Sequence, residues 1–347
     1  MKAAVLHRTG GPDVFSIEDV PVPWVGDEEA LVEVAACGVS FRDVVERNGT
    51  YRRDVSFPVI IGLEISGTVR AVGPRVRDLS VGDRVCSKAF SSCGQCRYCR
   101  TARETTCLKR RPVRGGYAEF AALPEDALVR FPASIPFEFA CSLGPAAGVA
   151  LNAVRDVARV TIGETVLVTG ATGGVGWPAV QLAKLAGANV LAITRSVEKK
   201  TSLVRESGAD EVVIARAGDD FSKDVRRLTD GLGADVVIDN VGSRVFNACF
   251  DSLALHGRYA MVGQLSGEEV AINPARIFFK RAQLLGVGSV SRVQLEDVIA
   301  LTAAGKLKPK ISAVLPLEDI DKAHAMVEAG EQVGRVIVIP NRTKNGE

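Results

Sequence analysis

Residues 165–195, TVLVTGATGGVGWPAVQLAKLAGANVLAITR, restrict the fold more than any other stretch of this chain of 347 residues. The stretch opens on β-branched and apolar residues (165–169), too few for a helix and closed by glycine, which reads as a buried strand. A turn with Gly170, Gly173, Gly174 and Gly176 follows. Val175, Ala179, Val180, Leu182, Ala183 and Ala186 then recur at helical spacing as far as Gly187, a stop signal. Residues 189–194 make a second strand and complete a βαβ unit. Glycines in such a turn let the backbone approach a pyrophosphate, which meets the free N–H groups and the positive end of the helix dipole. The usual G-x-G-x-x-G spacing is not quite met: if Gly173 and Gly176 take the last two places, Ala171 takes the first and Gly170 lies one residue early. We expect Gly170, Thr172, Gly173, Gly174 and Val175 to line a dinucleotide; a tight strand–helix turn without a ligand is the plain alternative.

A site for NAD wants a carboxylate at the end of the second strand, to hold the ribose 2′-hydroxyl. This chain has Thr194, Arg195 and Ser196 there, with Lys199 and Lys200 just beyond. A carboxylate would repel a 2′-phosphate, whereas an arginine can fork onto one. Arg195, Ser196 and Lys200 therefore predict NADPH; the alternative for Arg195 is a solvated surface arginine.

Strand and helix patterns continue to alternate. Helices are expected at 197–206, 220–228 and 243–255, and strands at 211–214, 235–239, 258–262 and 283–289. Six strands alternating with helices predict a doubly wound parallel sheet over 144–290. Asn240, Val241, Val262 and Gly263 then fall at its carboxyl edge, where the cofactor should lie.

The chain to about Leu128 looks rich in strands (1–7, 15–20, 30–36, 64–72 and 83–87), separated by turn signals, and predicts an antiparallel, partly closed β domain. Helices at 294–304 and 317–329 with strands at 311–315 and 335–339 are too few for another domain. They should return to the first, giving a catalytic domain of 1–143 and 291–347. Inside it lies Cys93-x2-Cys96-x2-Cys99-x7-Cys107. Four thiolates on loop-like sequence can close around one Zn²⁺ and leave no open position, so this metal would be structural, in a lobe near 91–110. A redox pair would not need the third and fourth cysteine. The many arginines and lysines of this lobe read as a solvated face.

Composition narrows the function classes. The formal charge of +2 and the mixing of acidic and basic residues speak against a nucleic-acid or membrane-surface protein. The first residues carry no signal-peptide core, and no stretch is expected to reach the ~20 apolar residues of a membrane span. Cys37, Cys86, Cys141 and Cys249 sit in apolar surroundings like reduced thiols. A cytoplasmic location is the expectation.

The whole chain resembles the medium-chain dehydrogenase/reductase superfamily. The matching pieces are ACGVSFRD (36–43), GLEISGTVRAVG (62–73), LSVGDRV (79–85), the four-cysteine lobe, GYAEFA (116–121) and ETVLVTGATGGVG (164–176). The resemblance implies a discontinuous chaperonin-10-like β domain beside a Rossmann domain, in a homodimer or homotetramer. Zinc alcohol dehydrogenases of this family carry a cysteine where this chain has Ser40, a histidine where it has Leu63, and typically a cysteine near Ala146. Glu64 alone remains, and leucine has no lone pair to offer a metal.

The branch without catalytic metal comprises quinone reductases and enoyl or enone reductases. Its active-site tyrosine falls on Tyr51; its common asparagine is Ser40 here and a second tyrosine is Val45. That branch usually lacks the zinc lobe, so this chain combines traits of both. The resemblance implies hydride transfer from NADPH to the β-carbon of an α,β-unsaturated carbonyl compound or enoyl thioester. Tyr51, helped by Ser40, would stabilise the enolate or deliver a proton. Arg42, Arg52 and Arg53 could hold an anionic small-molecule substrate such as a coenzyme A thioester. A quinone reductase, a zinc-type alcohol dehydrogenase and a non-catalytic nucleotide-binding protein are the alternatives. His7, His256 and His324 match no motif and receive no role.

Overall fold

The computed structural model describes residues 1–50, 55–195, 198–216, 218–330 and 332–340. The chain forms two compact units, one of Met1–Gly148, Ser289–Gly305 and Pro309–Glu347, the other of Val149–Gly288 and Lys306–Lys308.

The first unit is built on the strand Glu29–Val39, whose alternating pattern buries Ala30, Val32, Val34 and Ala36 completely. One edge pairs antiparallel with Glu64–Val72. The other edge is shared between Phe120–Pro124 and the C-terminal strand Arg335–Ile339. That last strand runs parallel to Ile311–Pro316. Leu317, Ile320, Ala323 and Val327, from the helix Ile320–Ala329 and the turn before it, enter the same apolar core as Val32 and Val34.

The second unit is a six-stranded parallel sheet in the spatial order Glu211–Ile214, Asn189–Thr194, Thr165–Val168, Ala234–Asp239, Leu253–Met261, Gln283–Gly286. Counted along the chain this is 3-2-1-4-5-6, the order of a dinucleotide-binding fold. Val166, Leu167 and Val168 are fully buried, as expected for a central strand covered on both faces. The short return at Lys306–Lys308 joins this unit because the Lys308 carbonyl accepts from Trp177 Nε1 at 3.1 Å and from Gln181 Nε2 at 3.0 Å.

Besides the strand expected over 283–289, which ends at Gly286, three larger details depart from the sequence expectation. The helix expected to 255 ends at Ser252, and its strand runs Leu253–Met261. A helix at Phe41–Arg47 was not anticipated. Third, the helical stretch Phe137–Val157 is long and apolar enough to cross a membrane by length and composition, contrary to the expectation that none would be. It is 72% buried inside the protein, as a core helix is, and contains π-helical turns at Leu143–Gly148 and Asn152–Val157.

Candidate active site and metal centre

The strand Thr165–Val168 leads through the glycine turn into the helix Gly176–Leu185. A Cβ on Gly176 would lie 2.1 Å from the Gly170 carbonyl oxygen, so only glycine lets the helix start this close to the strand. Gly173 N donates to that same oxygen at 2.8 Å. Thr172, Gly173, Gly174 and Val175 stand half-exposed around the helix start, where first-turn N–H groups have no intrahelical acceptor. This is a chemical fit for a pyrophosphate. Arg195 is exposed directly after the strand Asn189–Thr194. Ser196 and the side chain of Lys200 lie outside the described residues.

At the carboxyl edge of the sheet, Asp239 holds three neighbouring strand ends together. Its Oδ1 accepts from Thr169 Oγ1 at 2.7 Å and from Val241 N at 3.0 Å, and its Oδ2 accepts from Tyr259 Oη at 2.7 Å. Asn240 Nδ2 donates to the Thr169 carbonyl at 2.8 Å. Val262 N and Gly263 N both donate to the Asp239 carbonyl. Of the candidate lining residues, Val241 is held by the Asp239 carboxyl, Val262 and Gly263 by its backbone carbonyl, and Asn240 by Thr169, which that carboxyl orients.

In the first unit, Ser40 ends the long strand and caps the helix Phe41–Arg47. Its hydroxyl donates to Asp43 Oδ2 at 2.5 Å, its N–H donates to the same oxygen at 2.9 Å, and its Oγ accepts from Asp43 N at 3.3 Å. This is a capping box, and S-F-R-D was its legible signal. Asp43 is fully buried; burial pushes its carboxyl pKa up, with the Ser40 hydrogen bonds opposing.

Leu63 and Ala146 are buried at 3% and 1% exposure, Leu63 within the apolar core. Glu64, the remaining acid of that set, is fully buried and accepts from Arg335 at 2.5 Å. Burial raises it to about 7, with Arg335 opposing. Leu63 and Ala146 thus bring no metal-binding side chain to that set, and the Ser40 hydroxyl is engaged by Asp43.

His324 is fully buried, its Nε2 3.2 Å from the Tyr117 hydroxyl and its ring edge-on to Phe15. Burial and the charge of Arg47 lower its pKa to about 3, so it is neutral. Asp43, Tyr117, His324 and Arg335 are polar groups to which the sequence assigns no role of their own. Arg42 lies over the Phe90 ring at 4.8 Å, and Arg110 lies over the same ring at 4.7 Å. Arg114 pairs with buried Glu46 at 2.5 Å. Part of the basic cluster is therefore engaged rather than merely solvated. Tyr51, Arg52 and Arg53 lie outside the described residues.

Cys93, Cys96, Cys99 and Cys107 place their sulfurs within 4.8 Å of one another. The separations Cys93–Cys99, Cys96–Cys99 and Cys93–Cys107 are 4.0, 3.5 and 3.5 Å. Zn–S bonds of about 2.3 Å put tetrahedral sulfurs about 3.8 Å apart, so the four thiols fit one zinc. Backbone N–H groups of Cys99 and Leu108 lower the Cys96 thiol to about 6, favouring the thiolate a metal requires. The lobe is tied to its unit through Lys88, 2% exposed, which reaches Glu104 at 3.0 Å and Asp126 at 3.3 Å. Asp126 in turn accepts from Ser92 N at 2.6 Å.

Comparison with known proteins agrees with this layout. Residues 26–133 match the alcohol dehydrogenase GroES-like domain and residues 174–304 match the zinc-binding dehydrogenase family. The acryloyl-coenzyme A reductase of Sulfurisphaera tokodaii is 33% identical over 98% of this chain and 100% of its own length. An alcohol dehydrogenase of Geobacillus stearothermophilus is 33% identical over 97% of this chain and 99% of its own. Among solved structures, AibC superposes with a TM-score of 0.92 at 39% identity, covering 99% of this chain and 96% of that one.

Proposed function

The chain belongs to the medium-chain dehydrogenase/reductase superfamily and is an oxidoreductase, and on that premise we propose that it is an NADPH-dependent reductase of activated carbon–carbon double bonds. The substrate is an enoyl thioester or another α,β-unsaturated carbonyl compound, and no zinc takes part at the reacting atoms. The observation that carries this proposal is Leu63, an apolar side chain buried in the core at the position where zinc alcohol dehydrogenases need a metal ligand. The likeness to acryloyl-coenzyme A reductase supports the thioester.

NADPH held at the glycine turn supplies the hydride. Arg195 favours the 2′-phosphate over a bare ribose. Hydride addition at the β-carbon leaves negative charge on the thioester oxygen. Hydroxyl donors, Ser40 and Tyr51, stabilise that charge and deliver the proton to the α-carbon. Arg42, with Arg52 and Arg53, holds the anionic part of the substrate. The four-cysteine lobe binds one structural zinc. A homodimer or homotetramer in the cytoplasm completes the proposal; light scattering on the purified protein tests the assembly.

The deciding experiment follows nicotinamide absorbance with acryloyl-coenzyme A, simple enones and quinones, using NADPH and NADH side by side, and with primary alcohols plus NADP⁺. Turnover of the thioester with preference for NADPH is expected. Alcohol oxidation that requires a second zinc would overturn the proposal, and quinone turnover alone would move the enzyme to its quinone-reducing relatives.

A further inference from the structure

The stretch 97–114 carries seven basic residues and a single acid, Glu104, in a chain whose totals are 43 and 41. A Zn²⁺ ion on four thiolates offsets roughly two of those charges and leaves the excess positive. The one acid is engaged elsewhere: Glu104 Oε1 accepts from Lys88 Nζ at 3.0 Å and from Arg292 N at 2.7 Å. Arg97, Arg100, Arg103, Lys109 and Arg111 are exposed and Arg110 is half-buried; none of the six forms an ion pair among the described residues. Exposed arginines elsewhere do find acids, as Arg75 finds Asp27 and Arg244 finds Glu268. The sulfur cluster gathers the basic side chains, because Arg97 and Arg100 directly follow Cys96 and Cys99 while Lys109 lies two residues past Cys107. The pairing of Phe90–Ser91 with Arg111–Pro112 sets Arg111 opposite Ser91. Arg110 and Arg42 share the Phe90 ring, at 4.7 and 4.8 Å, so the basic face reaches the helix that Ser40 caps. There buried Glu46 serves two arginines at once, Arg114 at 2.5 Å and Arg42 at 4.0 Å. Cations gathered this closely repel one another unless an anion lies among them.

We propose that this face of the cysteine lobe binds the phosphate groups of a coenzyme A thioester, with Lys109, Arg110 and Arg111 as its main contacts. The inference deepens the double-bond reductase reading above and rests on it. All but one of the seven basic residues are arginines, whose planar fork takes two phosphate oxygens at once. A coenzyme A ester carries its charge on a pyrophosphate and a ribose 3′-phosphate, and the pantetheine arm keeps both apart from the reacting double bond. Its phosphates therefore need cations removed from the hydroxyl that meets the enolate, and the lobe supplies them beyond Arg42 and Phe90. The lobe then has a use besides its metal: zinc shapes the loop, and the shaped loop presents guanidinium groups to the carrier. Such contacts act equally before and during hydride transfer, so they lower KM and leave kcat alone. A neutral enone or a quinone gains nothing from them, which makes the face a device for selecting phosphorylated thioesters.

The test uses one enoyl thioester that the wild type reduces, prepared both on coenzyme A and on pantetheine, which keeps the arm and lacks the phosphates. The wild-type KM for the coenzyme A ester should lie about 10-fold below that for the pantetheine ester. The double variant Arg110→Gln/Arg111→Gln should raise the first KM about 10-fold, leave the second KM and both kcat values within about twofold, and keep its zinc. Arg227→Gln, which removes an exposed arginine of the second unit, is the charge control and should change neither KM. Calorimetric titration of coenzyme A into enzyme saturated with NADPH supplies a readout independent of turnover. Its dissociation constant should rise with sodium chloride in wild type and respond less to salt in the double variant. Equal KM values for the two esters in wild type, or an unchanged coenzyme A KM in a zinc-loaded double variant, would overturn the phosphate face and leave the reductase standing. Preference for the same acyl group on an acidic carrier protein over coenzyme A would overturn it too, and give the face to that protein. If the double variant loses its zinc, Lys109→Gln takes its place, and an unmoved coenzyme A KM overturns the proposal. A wild type that reduces enones and no thioester overturns the face alone; one that reduces no activated double bond removes both proposals.

Discussion

Arg335 donates to Glu64 across 2.5 Å, and the glutamate in this pair has no exposed surface. Its carboxyl titrates at about 7 in the folded protein against 4.5 ordinarily. Between those values the folded state holds a proton that the unfolded chain has lost. The contribution of Glu64 to stability therefore falls as pH rises from 4.5 through 7. His324 acts in the opposite sense, because its folded pKa of about 3 lies below the unfolded one. Glu64→Gln, which mimics the protonated acid and does not titrate, separates the two. The melting temperature of wild type minus that of Glu64→Gln should be largest near pH 5 and shrink by several degrees toward pH 8. A difference that is flat across this range would contradict the buried pair.

The cysteine lobe is expected to carry about one zinc per chain. Cys99→Ser should release it, lower the melting temperature by roughly 5–10 °C and loosen the Lys88–Glu104 anchor. Metal analysis by plasma emission checks the stoichiometry. Two zincs per chain, or retention after Cys99→Ser, would be the wrong result.

Asp239 accepts from Thr169, Tyr259 and the 241–242 backbone. Asp239→Asn replaces an acceptor with a donor and leaves buried hydroxyls unmatched, which should destabilise the second unit by about 1–3 kcal/mol. The 240–242 turn would loosen, so NADPH binding measured by fluorescence titration should weaken several-fold. Unchanged nucleotide affinity would show that this turn does not line the cofactor.

Gly176→Ala forces a methyl to 2.1 Å from the Gly170 carbonyl. The strand–helix turn must open, and the dissociation constant for NADPH should rise at least ~10-fold. Isothermal titration decides this, and wild-type affinity would argue against a dinucleotide at that turn.

What was legible in the chain was whatever a short window encodes. The apolar run of 165–168 and the glycines after it announced a strand, a turn and a helix start; the alternation along 30–36 announced a half-buried strand; four cysteines within fifteen residues announced a metal lobe. Such signals are periodic or local, so backbone geometry enforces them before any distant contact forms. The pairings that give the first unit its chemistry were not readable. Glu64 meets Arg335 across 271 residues of chain, and Tyr117 meets His324 across 207. Nothing near His324 marks it as the partner of a phenol; that follows from folding the C-terminal helix against the β core, where burial sets its charge. Local sequence determined which elements form and where a nucleotide and a metal fit, while tertiary packing alone decided which acids lose water and what they face, because desolvation and electrostatic pairing depend on neighbours that only the folded chain brings together.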